Sequence, residues 1–258
     1  METASVREVI ALIEAEAARD PGGAIAFDGD GTLWDGDIGE DFFDALLDEG
    51  ALSDRAHEGL VREAEAEKID TGGGAVAIAR RIHAGYLAGT FPEERVCEIM
   101  AWAFAGRTKE QIDTFAAGVV ENRLKLDGRL HGEAIQIVTW ARERGVTTYL
   151  VSASPRPIVE QAARYLGIPL ANVAAATEET DSKGLTLASV VRPIPYGDGK
   201  VKHLRVKLGA RVLYAAFGDN AFDVAMLREA RIPVAIRPKP RLLERAGEVP
   251  ALIVLDRP

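Results

Sequence analysis

The tightest constraint on this chain is a four-residue apolar run that ends abruptly on acid. Ala24-Ile25-Ala26-Phe27 has no polar side chain, and Asp28-Gly29-Asp30-Gly31-Thr32 follows at once. A short apolar run entered from Pro21-Gly22-Gly23 reads as a strand buried on both faces. Carboxylates delivered at the C-terminal end of such a strand stand where open α/β sheets bind ligands.

The flanking sequence fits that frame. Val6, Ile10, Ile13 and Ala17 recur at helical spacing, so residues 3–19 read as an amphipathic helix. Residues 36–125 show long helical periodicity with glycine breaks and almost no β-type runs, which predicts an inserted α-helical unit. The α/β rhythm returns near residue 128. The predicted elements there are helices at Gly132–Arg144, Pro155–Leu166, Lys200–Leu208 and Phe222–Glu229, with strands at Val146–Val151, Val173–Ala176, Val212–Phe217 and Pro233–Ile236. A C-terminal helix and strand follow, and Lys183–Val191 reads as a hairpin or flap. Strands alternating with helices imply a mostly parallel sheet covered on both faces. The expected division is a core of residues 1–35 and 126–258 with a helical insert at 36–125.

Three strand ends carry chemistry: Asp28/Asp30, Ser152/Ser154, and Asp219/Asp223 beyond Gly218, with Asn220 in the same turn. The segment Gly197-Asp198-Gly199-Lys200 precedes the third. The C-terminal ends of parallel strands share one rim, so these groups can converge. Carboxylates held close repel one another unless a cation sits among them, and an oxygen-only donor set suits Mg²⁺. The 40 acidic residues outnumber the 31 basic ones, giving a net charge of −9. With no run of five Lys/Arg, that balance argues against a nucleic-acid partner. It also requires an enzyme acting on phosphate to supply its cation locally.

Other readings of these residues fit less well. The DGDGT stretch is no EF-hand, because counting from Asp28 puts Leu33 at the sixth position and Gly39 at the twelfth. Gly199-Lys200 is followed by Val201 and makes no P-loop. Trp34 stands where a dinucleotide fingerprint needs its third glycine. The four histidines (His57, His83, His131, His203) are scattered, and the lone Cys97 reads as helix packing. The first twenty residues lack the features of a signal peptide, and no apolar run is long enough to span a membrane. A cytoplasmic location is expected. Oligomeric state is not legible.

Taken together, Phe27-Asp28-Gly29-Asp30-Gly31-Thr32-Leu33, Ser152, Lys200 and Gly218-Asp219-Asn220-Ala221-Phe222-Asp223 resemble, in order, the four motifs of the haloacid dehalogenase (HAD) superfamily. Val151-Ser152-Ala153-Ser154-Pro155 followed by Ile158-Val159 is similar to its phosphoserine-phosphatase-like branch, which carries a helical cap between the first two motifs. The resemblance implies a Rossmann-like α/β core and a Mg²⁺-dependent phosphatase acting on a small phosphorylated metabolite through a phospho-aspartate, with phosphoserine the default substrate and phosphocholine or phosphoethanolamine the alternative suggested by Trp34 and Asp37.

It also implies roles for individual residues. Asp28 is the nucleophile and Asp30 the acid–base. The Asp28 and Asp219 carboxylates and the Asp30 carbonyl hold the ion. The Ser152 hydroxyl, the amides of Gly29 and Asp30, and Lys200 bind phosphoryl oxygens. Asp223 orients Lys200 or a metal-bound water, and the Thr32 hydroxyl serves the turn by bonding backbone. Lys202 and Lys183 compete with Lys200 for the lysine role, while Ser154 is the better placed of the two serines to cap the helix that follows. Asp37 matches by offset an acidic residue that orients substrate in that branch, and Glu40 lies beside it. Both are candidates for gripping an ammonium group, against a bland reading as a solvated helix start. Trp34, Phe42, Phe43, Tyr86, Trp102 and Phe104 read mostly as core of the insert, with one or two lining a pocket. Alternatives are a phosphotransferase or mutase using the same chemistry, and a non-catalytic phosphate-binding regulatory module.

Overall fold

Ala24–Phe27 is fully buried along its length because it is the central strand of a sheet covered on both sides. The computed structural model describes residues 2–257. Seven strands form one parallel sheet: β1 (Glu2–Ala4), β2 (Ala24–Phe27), β3 (Thr147–Pro155), β4 (Val173–Ala176), β7 (Leu213–Gly218), β8 (Ile232–Ala235) and β9 (Ile253–Leu255). Their spatial order is β1-β9-β8-β7-β2-β3-β4. The three strands that carry the acidic and serine clusters are therefore neighbours. The chain leaves β2 on one side toward β3 and returns on the other as β7, and the crevice at such a reversal of strand order is where α/β sheets bind ligands.

The helices are α1 (Val6–Arg19), α2 (Ile38–Asp48), α3 (Asp54–Ala66), α4 (Gly74–Leu87), α5 (Glu93–Trp102), α6 (Lys109–Val119), α7 (Gly132–Glu143), α8 (Arg156–Leu166), α9 (Asp198–Leu208), α10 (Val224–Glu229) and α11 (Pro240–Glu244). Five of them, α2 to α6, fall within residues 36–125. Phe42 of α2 stacks on Phe104 (4.6 Å between centroids) and meets Phe115 of α6 at 5.5 Å, giving these helices an aromatic centre. One apolar cluster runs from this centre into the sheet, through Phe27 and Phe217.

Three local differences from the sequence expectations have physical causes. The first helix begins at Val6 rather than near residue 3. Ser5 and Glu8 close a capping box there, and Glu2–Ala4 pairs with β9 as an edge strand. β3 runs on through Ser152–Pro155 instead of ending at Val151. The hairpin pairs β5 (Glu178–Thr180) with β6 (Thr186–Val190), and its tip bonds to the insert: Gly106 N–H donates to Thr186 O and Thr186 N–H to Arg107 O.

Backbone bonds also join the two ends of the insert. Asp35 N–H donates to Arg129 O at 2.8 Å, and His131 N–H to Leu33 O at 3.0 Å. The turn after β2 is thus held from both sides.

Phe27 and Phe217 are paired across β2 and β7, with rings parallel at 4.1 Å. Both are fully buried directly beneath the acidic turns. Phe217→Ala is expected to cost ~3–5 kcal/mol in urea unfolding. A loss below about 1 kcal/mol would show that the pair does not brace the rim.

Candidate active site

The turn after β2 and the turn after β7 place three buried carboxylates together. Oxygen atoms of Asp28, Asp219 and Asp223 all lie within 4.8 Å of one another. At an effective dielectric of about 20, two such charges 4 Å apart repel by roughly 4 kcal/mol. Lys200, buried in the first turn of α9, relieves part of this. Its Nζ is 2.5 Å from Asp28 Oδ1 and 2.5 Å from Asp223 Oδ1. Burial alone would lower the lysine's pKa, but the charges of Asp223 and Asp28 outweigh it and the ammonium is held raised. Lys202 is exposed on the same helix, and Lys183 lies exposed in the hairpin turn. Lys200 is the lysine that reaches the carboxylates.

Asp223 is fully used by protein donors. Besides Lys200 it accepts the N–H groups of Asp219 (3.0 Å) and Asn220 (2.9 Å) at Oδ2, which shapes the turn. Asn220 caps the short helical turn that follows by accepting from Ala221 N–H at 2.7 Å. Asp223 therefore orients Lys200 and the Asp219 backbone.

The Thr32 hydroxyl departs from expectation. It donates to Asp28 Oδ2 at 3.1 Å and lies 3.4 Å from Asp219 Oδ1, so it serves the carboxylates rather than the backbone. Their charge makes them the stronger acceptors.

Asp30 faces a different set of partners. Its Oδ1 accepts from Trp34 Nε1–H and Ile38 N–H, each at 2.8 Å, and its Oδ2 from Ser154 Oγ at 2.7 Å, with Ser152 Oγ at 3.4 Å. Its side chain is outside the three-carboxylate group, consistent with a carbonyl rather than carboxylate role toward an ion. Ser154 does not cap α8, contrary to expectation. Pro155 occupies the N-cap position, no side chain caps it, and the Ser154 hydroxyl is committed to Asp30. Ser152 is buried, accepting from Ser154 N–H at 3.0 Å. Gly29 must lack a Cβ, since one would meet Trp34 Cζ2 at 2.7 Å. Trp34 is thus scaffold of the acidic turn rather than core of the insert.

A cavity of about 850 Å³ opens on this rim, lined by Asp28, Asp30, Lys200, Asp219 and Asp223 at one end. The insert contributes a further part of the wall: Asp37, Glu40, Tyr86, Phe91, Glu93 and Cys97. Asp37 is at once the N-cap of α2, accepting from Glu40 N–H at 2.8 Å, and part of this wall. Burial and the charge of Asp30 push its carboxyl well up. Cys97 lines the wall too, its thiol pushed up by burial and then by Asp37 and Glu93. Phe42, Phe43, Trp102 and Phe104 are packed in the interior.

Lys239, Glu93, Tyr196 and Arg241 are cavity residues that no sequence motif marked, and Phe222 lies within the fourth motif without a role having been assigned to it. For Lys239 a signal existed. It follows β8 in Ile236-Arg237-Pro238-Lys239, and β8 ends on the same rim; the Lys239 N–H bonds Asp219 O at 2.7 Å. Its Nζ stands 2.8 Å from Asp219 Oδ2.

The residues present fit a divalent cation. Three buried carboxylates against one buried lysine leave two negative charges uncompensated in the buried set. Asp219 Oδ2 is buried with no well-formed hydrogen bond, although Lys239 is near. A Cβ on Gly31, whose φ is +83°, would run into that carboxylate, so the glycine keeps the space open. Oxygen donors of this kind suit a hard cation.

With the geometry in place, comparison with known proteins gives the class. The family model for haloacid dehalogenase-like hydrolases matches residues 25–228. The chain belongs to that family. A search of the curated proteins finds no match. Among solved structures, a protein of unknown function from Bordetella pertussis Tohama I superposes with a TM-score of 0.70 at 20% identity, covering 90% of this chain and 97% of that one. A substrate-bound phosphoserine phosphatase gives 0.51 at 16% identity, covering 91% and 93%. A phosphoserine phosphohydrolase-like protein from Francisella tularensis subsp. tularensis SCHU S4 gives 0.52 at 16%, covering 92% and 95%. These likenesses establish a shared fold. Among the described residues, no helix is long and apolar enough to cross a membrane.

Burial, then the charge of Asp223, raises Asp219 from 3.8 to about 6. The folded state thus holds this proton more tightly than the unfolded chain. The stabilisation is full below 3.8 and lost as pH rises through about 6. A cation competes with the same proton. The increase in melting temperature on adding MgCl₂ is therefore expected to grow between about pH 5 and about pH 7.5, and to vanish in Asp219→Asn. A shift that is flat with pH, or that survives the substitution, would contradict this assignment.

Proposed function

We propose that this chain is a Mg²⁺-dependent phosphatase that hydrolyses a small amine-bearing phosphomonoester through a phospho-aspartate at Asp28. One observation carries the reading: a cavity-lining carboxylate, Asp28, is held at Oδ1 by buried Lys200 in direct company with Asp219 and Asp223.

In the first step an Asp28 carboxylate oxygen attacks phosphorus in line and the ester P–O bond breaks. The departing alkoxide takes a proton from Asp30. In the second step Asp30 takes a proton from water, whose oxygen attacks the acyl phosphate. The bond between phosphorus and Asp28 breaks, and the free carboxylate returns. The donors on Asp30 fix its position while leaving it on the cavity wall. Lys200 keeps a positive charge beside the reacting oxygens and is itself aimed by Asp223. The amides of Gly29 and Asp30 and the Ser152 hydroxyl are the further candidate donors for phosphoryl oxygens.

Bound Mg²⁺, held by the Asp28 and Asp219 carboxylates and the Asp30 carbonyl, would neutralise charge on the transferring group. Residues 36–125 act as a cap domain whose Asp37 and Glu40 face the substrate amine and whose helices exclude bulk water.

The test is phosphate release from p-nitrophenyl phosphate with and without Mg²⁺, combined with acid quenching to trap labelled protein. Asp28→Asn should abolish both release and label, and Asp30→Asn should slow turnover by ~10²–10⁴. Turnover retained in Asp28→Asn would overturn the mechanism. Transfer of the phosphoryl group to an added alcohol, with p-nitrophenol released but no inorganic phosphate, would make the chain a phosphotransferase instead.

A further inference from the structure

We infer that the substrate is the phosphate ester of an amino alcohol carrying a cationic nitrogen and no carboxylate. This rests on the phosphatase reading above and narrows it. The observation is the distribution of charge around the cavity. Three basic side chains line it, and each stands beside a carboxylate of the protein. Lys200 is held between Asp28 and Asp223, Lys239 Nζ lies 2.8 Å from Asp219, and Arg241 Nη1 lies 3.4 Å from Glu93. Each ammonium and guanidinium of the lining already faces a protein carboxylate, with which a carboxylate on the substrate would have to compete.

The acids that follow the first turn and open the insert are in the reverse condition. Asp35, Asp37 and Glu40 also line the cavity. Asp37 accepts only backbone N–H groups, and the basic group facing Glu40 is the His83 ring at 3.9 Å. Carboxylates without cationic partners, in a space that leads to the nucleophile, favour a cation arriving with the substrate. They oppose an anion placed in the same position.

Aromatic faces supply an independent second feature. Tyr86 lines the cavity and stacks on His83, at 5.9 Å between centroids. Tyr196 and Phe222 meet at 4.4 Å on the core side of the same space. Aromatic rings beside carboxylates are the surroundings that hold ammonium groups, methylated ones included. The Asp28 carboxylate and this wall bound one continuous cavity, so an ester phosphate and a cationic nitrogen can be held in it together.

The experiment compares kcat/KM for phosphoethanolamine, phosphocholine, phosphoserine and 2-hydroxyethyl phosphate, the last being the neutral counterpart of the first. p-Nitrophenyl phosphate serves as the generic ester. Calorimetric binding of the same esters to Asp28→Asn gives a ranking free of turnover. Phosphoethanolamine or phosphocholine is expected to exceed phosphoserine by roughly 10–100-fold and to exceed 2-hydroxyethyl phosphate. Comparison of the first two decides between a primary and a quaternary nitrogen. In a variant carrying Asp37→Asn and Glu40→Gln, the ratio of phosphoethanolamine to 2-hydroxyethyl phosphate should collapse toward one, chiefly through KM. Phosphoserine used as well as, or better than, the amino-alcohol esters would overturn the inference. Hydrolysis of p-nitrophenyl phosphate with no preference for a cationic ester would overturn it while leaving the phosphatase reading intact. No hydrolysis of any ester, p-nitrophenyl phosphate included, would remove both.

Discussion

Three carboxylates and one ammonium, all buried, set the terms on which this chain folds. Asp28, Asp219 and Asp223 repel one another, and Lys200 bridges two of them without balancing the set. Such a cluster is tolerated inside a protein only where other interactions over-determine it. The surroundings do this. Backbone N–H groups of Asp219 and Asn220 fix Asp223, the Thr32 hydroxyl sits between Asp28 and Asp219, and Lys239 approaches from the end of β8. The residual negative charge suits the site to a cation, so the electrostatic cost of the cluster and its proposed use have one origin.

The sheet makes this possible by geometry. β2 lies between β3 and β7 with all three parallel, so their C-terminal ends bring residues 28, 152 and 219 to one rim despite their separation in sequence. Packing below the rim is apolar and close, with Phe27 on Phe217, while glycines above it give the acidic groups room. A Cβ at Gly218 would strike the Asp223 side chain, and one at Gly31 would strike Asp219. The helices of the insert close the other side of the cavity, where the charge changes from partly compensated to unpaired acid.

Much of this was legible from residue order, for physical reasons. β2 and its acidic turn are local features, an apolar run followed by groups that cannot be buried unpaired, and the strand rhythm after residue 128 implies the shared rim. The glycine-rich lead-in Gly197-Asp198-Gly199 favoured Lys200 over Lys202, and the folded helix sets Lys200 on the carboxylates while Lys202 is exposed. Thr32 and Ser154 were assigned the wrong partners because a hydroxyl takes the best acceptor within reach, and that acceptor came from Asp219 or Asp30, fixed only by tertiary structure. The extra strand Glu2–Ala4 escaped notice because three residues carry no periodicity, although Ser5 and Glu8 marked the true helix start. Lys239, Glu93 and Arg241 meet the cavity through loop ends and a helix start that no spacing rule connects.

The account stands most directly on whether Asp28 and Asp219 share one divalent ion. Crystals grown with Mn²⁺ in place of Mg²⁺, with anomalous diffraction recorded at the manganese edge, test this. The account predicts a single strong peak between the two carboxylates. A peak elsewhere, or none at saturating Mn²⁺, would contradict it.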